Sequence, residues 1–147
     1  MSTLRIAAWN ANGLAGRLEE LECFMNTEKI DICLLSETHF IRESHIKIRN
    51  YEVYHSIHPA NKARGGSGII LRKSIKHNLE PSTETEKVQM TTLTVYQKKQ
   101  KLKIAAIYNP PRHVMKKQDY LHIFKALGNR FIIGGDFNAK ISTGVLD

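Results

Sequence analysis

Phe131-Ile132-Ile133-Gly134-Gly135-Asp136-Phe137-Asn138 sets three apolar residues, two glycines and a carboxylate in direct succession. A short aliphatic run bounded by Gly reads as a buried strand, and the polar residues after it stand where an open sheet presents its functional edge. The same pattern occurs three more times, in Trp9-Asn10-Ala11-Asn12-Gly13, Leu35-Ser36-Glu37-Thr38-His39 and Ile107-Tyr108-Asn109-Pro110-Pro111. Glu37 and Asp136 are therefore the two carboxylates expected to terminate buried strands.

Working outward, strand-like segments are Leu4–Trp9, Ile32–Leu35, Tyr51–Ile57, Gly68–Leu71, Met90–Tyr96, Leu102–Tyr108 and Phe131–Ile133. Two stretches carry helical periodicity instead. In Leu14–Glu28 the residues Leu14, Leu18, Leu21 and Met25 share one face, and in Met115–Asn129 the set Leu121, Phe124 and Leu127 precedes a Gly128-Asn129 stop. Strands interleaved with two helices predict an α/β domain whose sheet includes antiparallel pairs. Residues 92–107 read as a hairpin with a basic tip, where Lys98 and Lys99, with Lys101 and Lys103, are either solvated or candidate nucleic-acid contacts.

The chain has 147 residues and 41% hydrophobic content, enough for one compact core and too apolar for a disordered chain. No apolar run has the length of a membrane span and the N-terminus lacks a signal-peptide pattern, so an intracellular protein is expected. Cys23 and Cys33 lie in no metal-binding spacing and are expected as reduced core residues. Residues 1–60 hold six Lys/Arg against eight Asp/Glu, whereas residues 61–147 hold sixteen against six. That excess suits either a well-solvated surface or a polyanionic partner.

If the ends of their strands converge, Glu37 and Asp136 supply hard oxygen ligands for one divalent cation, and Mg²⁺ favours one or two carboxylates completed by water and phosphate. Each element alone has a structural explanation: a strand-terminal Asp caps a turn, Asn12-Gly13 is an ordinary turn pair, and Trp9 suits a core. Their joint occurrence is the signal.

Ala8-Trp9-Asn10-Ala11-Asn12-Gly13-Leu14, Ser36-Glu37-Thr38-His39, Gly65-Gly66-Ser67-Gly68-Ile69, Ile107-Tyr108-Asn109-Pro110 and Gly134-Gly135-Asp136-Phe137-Asn138 occur in that order. Together they resemble the motifs of the endonuclease/exonuclease/phosphatase superfamily, and within it the apurinic-endonuclease-like domain of jockey-type non-LTR retrotransposons. The resemblance implies a DNase-I-like α/β sandwich of two sheets, Mg²⁺ (or Mn²⁺) as cofactor, and endonucleolytic nicking of DNA. It assigns Glu37 to the metal, and Asn10, Tyr108, Asp136 and Asn138 to catalysis. Asp136 would orient or deprotonate the attacking water, Tyr108 would contact the phosphate, Asn10 would hold the aspartate and phosphate, and Asn138 would stand at the phosphate or metal. His39 and Asn12 are placed as supporting or substrate-binding residues.

The chain departs from the pattern in three places. Asn12 stands where repair members carry Asp, Pro111 stands where some members place Asn, and no Asp-His pair follows the GGDFN motif, whose family counterpart places a transition-state His later. Residues 1–147 are accordingly expected to be the N-terminal portion of the domain, with a second sheet reduced to about one strand, an exposed inner face and impaired activity. The implied partners are DNA, the rest of the domain and a reverse transcriptase, with no membrane and a nuclear location. The competing readings are a degenerate, non-catalytic nucleic-acid-binding fragment and a phosphatase or phosphodiesterase of the same superfamily.

Overall fold

In the computed structural model, which describes residues 3–138, nine strands form two sheets. The first contains β1 (Ile6–Asn10), β2 (Ile32–Ser36), β3 (Tyr51–Ser56) and β4 (Ser67–Arg72), in the order β1-β2-β4-β3. The second contains β5 (His77–Leu79), β7 (Gln89–Gln97), β8 (Gln100–Tyr108) and β9 (Phe131–Asp136) in the order β5-β7-β8-β9, with β6 (Thr83–Glu84) also paired to β7.

Two of the pairings are parallel, β1 with β2 and β8 with β9. Parallel neighbours need a crossover, supplied by α1 (Leu18–Thr27) in the first case and α2 (Lys117–Leu127) in the second. A single 3₁₀ turn at Ala15–Arg17 leads into α1. Its Leu21 and Met25 pack with Leu14 on Cys33 and Leu35 of β2, while Ile123 and Leu127 of α2 cover Ala105 and Ile107 of β8.

Between the sheets, Ile32 and Leu34 of β2 and Ile69 and Leu71 of β4 meet Leu93 and Val95 of β7 and Ile104 and Ala106 of β8. β2 and β8 are thus apolar on both faces, which is why their sequences read as unbroken apolar runs. Each fully buried aliphatic side chain in this layer contributes about 1.5–3 kcal/mol.

The structure amends several expectations. The second sheet holds five strands, and its β7 and β8 are covered by the first sheet, so the predicted bare apolar face is reduced, among the described residues, to the β9 edge, where Ile132 is 39% exposed. The missed strands, β5 and β6, have three and two residues, too short to show alternation. On α2 the buried residues are Ile123 and Leu127, while Leu121 is exposed and Phe124 stacks partly exposed on Phe131. Cys33 is buried but Cys23 is exposed on α1, because the buried stripe of that helix runs through Leu21 and Met25. The hairpin is present, and its turn is the pair Lys98-Lys99, both at positive φ, as a two-residue type I′ connection requires. Among the described residues, no helix is long and apolar enough to cross a membrane.

Candidate active site

The C-terminal ends of β1, β2, β8 and β9 and the start of the antiparallel β4 and β7 all lie at one end of the two sheets. Asn10, Glu37, Tyr108 and Asp136 arrive there from four strands. Nδ2 of Asn10 donates to Oε2 of Glu37 at 2.5 Å and, at the limit of hydrogen-bond length, to Oδ2 of Asp136 at 3.4 Å. One amide nitrogen therefore bridges a carboxylate of the first sheet and one of the second.

Each partner is itself held. Oδ1 of Asn10 accepts the Asn12 backbone N–H at 3.0 Å in a tight turn. Oδ1 of Asp136 accepts the Asn138 N–H at 2.8 Å, and Nδ2 of Asn138 donates to the Asn109 carbonyl at 2.5 Å. Asn12 and Asn138 sit at positive φ, which short amide side chains tolerate.

Glu37 is positioned through the Gly65-Gly66 loop. Its backbone N–H donates to the Gly66 carbonyl at 2.8 Å, and the His39 N–H donates to the Gly65 carbonyl at 2.9 Å. The Gly66 N–H in turn donates to Oε1 of Gln89, a fully buried residue at the start of β7, at 3.0 Å. Both glycines have positive φ, and a Cβ on Gly65 would sit 2.6 Å from that same Gln89 oxygen. The glycine pair is thus demanded by conformation and by space.

Tyr108 is buried, and its phenol is pushed up to about 12 by that burial, with the negative charges of Glu37 and Asp136 adding to the effect. It remains an O–H donor throughout the neutral range. Nε2 of His39 lies 3.5 Å from Oε1 of Glu37, which places the imidazole beside the carboxylate pair. Asn12 is exposed in the loop after β1.

Lys98 and Lys99 are not brought to this site. They form the turn at the opposite end of β8, whose first residue, Gln100, is eight residues from Tyr108, about 26 Å at the strand rise.

The donor set suits a hard cation. Among the described residues neither Glu37 nor Asp136 is paired with Lys or Arg, and no three His, Cys, Asp or Glu side chains gather around a common point. A cation held here would draw on Glu37, with Asp136 close by, and complete its sphere with water and phosphate oxygens, the arrangement that Mg²⁺ and Mn²⁺ accept.

Two supporting residues escaped sequence reading. Gln89 lies at the start of an alternating strand and shows its role only through the sheet-to-sheet contact. Asn109 is 2% exposed, and its Nδ2 donates to the carbonyls of Lys87 at 2.6 Å and His113 at 2.7 Å while its N–H donates to the Asp136 carbonyl at 2.9 Å. Its place between Tyr108 and Pro110 in a recognisable motif was the available signal.

The two-sheet α/β architecture is that of the DNase-I-like class of folds. The chain belongs to the Endonuclease/Exonuclease/phosphatase family, whose model matches residues 7–145. It is 36% identical over 138 residues to the RNA-directed DNA polymerase from mobile element jockey of Drosophila funebris, covering 94% of this chain and 15% of that protein. The endonuclease domain of TRAS1, a telomere-specific non-LTR retrotransposon, superposes with a TM-score of 0.71 at 20% identity, covering 93% of this chain and 61% of that one. D. rerio TDP2, solved with single-strand DNA product, gives a TM-score of 0.68 at 22% identity, covering 96% and 63% respectively. The chain thus spans a small part of its polymerase relative and under two thirds of these structural neighbours.

Proposed function

We propose that the chain carries a phosphodiester-hydrolysing site that nicks DNA, with Mg²⁺ or Mn²⁺ as its cofactor, and that it belongs to a mobile-element protein also bearing a reverse transcriptase. The observation that supports this most is the Asn10 amide shared between Glu37 and Asp136, with the Tyr108 phenol beside both carboxylates. Similarity to the jockey polymerase supports the mobile-element assignment, and a DNA substrate would place the action in the nucleus.

Asp136 is held by the Asn138 N–H on one oxygen and by the Asn10 amide on the other, so its lone pairs are aimed to accept the proton of an attacking water. Tyr108, which stays protonated, donates to a phosphate oxygen as charge grows there. Glu37 and its backbone clamp to Gly66 provide the fixed anionic ligand for the cation. When bound, a divalent cation supplies Lewis-acid charge that stabilises the phosphorane-like transition state and the leaving oxygen. Asn138, its amide nitrogen engaged by Asn109, keeps its side-chain oxygen for the phosphate or cation.

A second reading, DNA and metal binding with little turnover, has one observation in its favour: among the described residues no imidazole is hydrogen-bonded to Asp136. The family resemblance places the transition-state His beyond the GGDFN motif, and under this proposal the chain is the N-terminal portion of its domain. Supercoiled-plasmid nicking with Mg²⁺ separates the readings. Nicking that disappears in Glu37→Gln and Asp136→Asn and with chelator supports hydrolysis, whereas metal-dependent DNA binding without nicking supports the second reading. Nicking that survives both substitutions would refute the site assignment.

A further inference from the structure

The segment before β4 and the turn after β8 enclose a cavity of about 470 Å³ that adjoins the carboxylate site at Tyr108 and Gly65. Its wall carries Arg64, Arg112, His58 and His113, against a single acidic residue, Glu86. Among the described residues, neither Arg64 nor Arg112 has an ion-pair partner, although Asp and Glu side chains elsewhere hold Arg5, Arg17 and Arg72. Two unpaired guanidiniums lining one concavity present the planar donor forks that match phosphate oxygens.

His58 adds a neutral donor. The residue is 7% exposed, and its Nδ1 accepts the Ala60 N–H at 3.1 Å, which leaves the ring proton on Nε2. Burial first, then the nearby charge of Arg64, lowers its pKa, so the imidazole is a neutral N–H donor near pH 7. Pro110 and Pro111 form a rigid apolar stretch of the same wall, suited to a sugar or base. Tyr108 joins this cavity to the carboxylate pair, since it lines the cavity and feels the charges of Glu37 and Asp136.

We infer that this cavity is a subsite for the polynucleotide phosphate adjoining the cleaved one, gripped by Arg64 and Arg112, with His58 as a third donor and Pro110-Pro111 as the wall for the attached nucleoside. The inference rests on the nuclease reading and deepens it by naming the groups that hold the strand beyond the scissile bond. It also gives the basic excess after residue 60 a specific point of action. Lys98 and Lys99 lie at the opposite end of β8, about 26 Å from Tyr108 at the strand rise.

The test is fluorescence anisotropy of a labelled single-stranded hexanucleotide titrated with the full chain at several salt concentrations. Arg64→Gln combined with Arg112→Gln is expected to weaken binding about tenfold and to reduce the slope of log K against log salt by about one, the loss of one phosphate contact. The charge-matched pair Lys98→Gln and Lys99→Gln is expected to leave both quantities unchanged. Equal losses in the two double variants, or no loss in the arginine variant, would overturn the inference while leaving the nuclease reading intact. Failure of the parent chain to bind the oligonucleotide at low salt would overturn both. A dinucleotide should compete at far lower concentration than inorganic phosphate; mole-for-mole equivalence would show a general anion site and overturn the assignment to a polynucleotide. Circular dichroism melts confirm that both double variants fold.

Discussion

Oε1 of Gln89, buried at the start of β7, accepts the backbone N–H of Gly66 at 3.0 Å across the junction of the two sheets. Through the Gly66 carbonyl this contact reaches Glu37, the carboxylate expected to bind the cation. Replacing Gln89 leaves a buried N–H without an acceptor and frees the loop that sets the Glu37 backbone.

Gln89→Leu should therefore lower the unfolding free energy by about 2 kcal/mol, the cost of an orphaned buried donor, and also weaken Mn²⁺ binding. Thr91→Val breaks the hydroxyl contacts from Thr91 to Ser56 and Ser67 in the same layer without touching the Gly66 loop. It should lower stability in chemical denaturation yet leave Mn²⁺ affinity in calorimetry unchanged. Equal Mn²⁺ affinity in Gln89→Leu and parent would remove Gln89 from the site.

Gly135 carries a φ of +140°, and a Cβ there would lie 2.0 Å from the Ile107 carbonyl oxygen. No side-chain adjustment relieves a clash with backbone, so Gly135→Ala should destabilise the domain by about 3 kcal/mol or more. Urea denaturation measures the loss. A change below about 1 kcal/mol would contradict the observed register of β9 on β8.

The Lys98-Lys99 turn places two long side chains in the left-handed region that Asn and Gly occupy more readily. Lys98→Asn with Lys99→Gly should raise stability by about 1 kcal/mol and the melting temperature by roughly 3–5 °C. Calorimetry checks this, and an unchanged or lower melting temperature would contradict the turn geometry.

The Cys33 thiol is pushed up from 9.0 to about 12 by burial in the first sheet. Its protonated form is the folded form, so its contribution to stability is full below about pH 9 and is lost as pH rises from there through 12. Tyr108 adds a parallel loss between its ordinary value of 10.0 and about 12. Stability measured against pH should fall steeply above pH 9, less so in Cys33→Ala and in Tyr108→Phe. A profile identical in all three proteins would show that neither group is buried as described.

Much of this was legible in the chain itself. Asp136, Glu37, Tyr108 and Asn10 were each recognisable because an apolar run ended on a polar residue, and converging strand ends are what such runs produce in an α/β sandwich. The hairpin and its Lys98-Lys99 tip were legible from alternation, but the distance of that tip from the carboxylate pair depends on register, which only the paired strands fix. Gln89 was invisible because a buried amide in a strand carries no periodic signal; only the approach of the other sheet gives it an acceptor role. On α2 the buried stripe runs through Ile123 and Leu127 rather than Leu121, Phe124 and Leu127, because Leu121, Ile123 and Phe124 are all strongly apolar and packing on β8 alone chooses among them.

Whether Glu37 and Asp136 serve one cation at a shared amide is decided by Mn²⁺ titration of the chain, followed by isothermal calorimetry. One ion should bind per chain, with binding lost in Glu37→Gln and weakened in Asp136→Asn. Undiminished one-to-one binding in Glu37→Gln would contradict that arrangement.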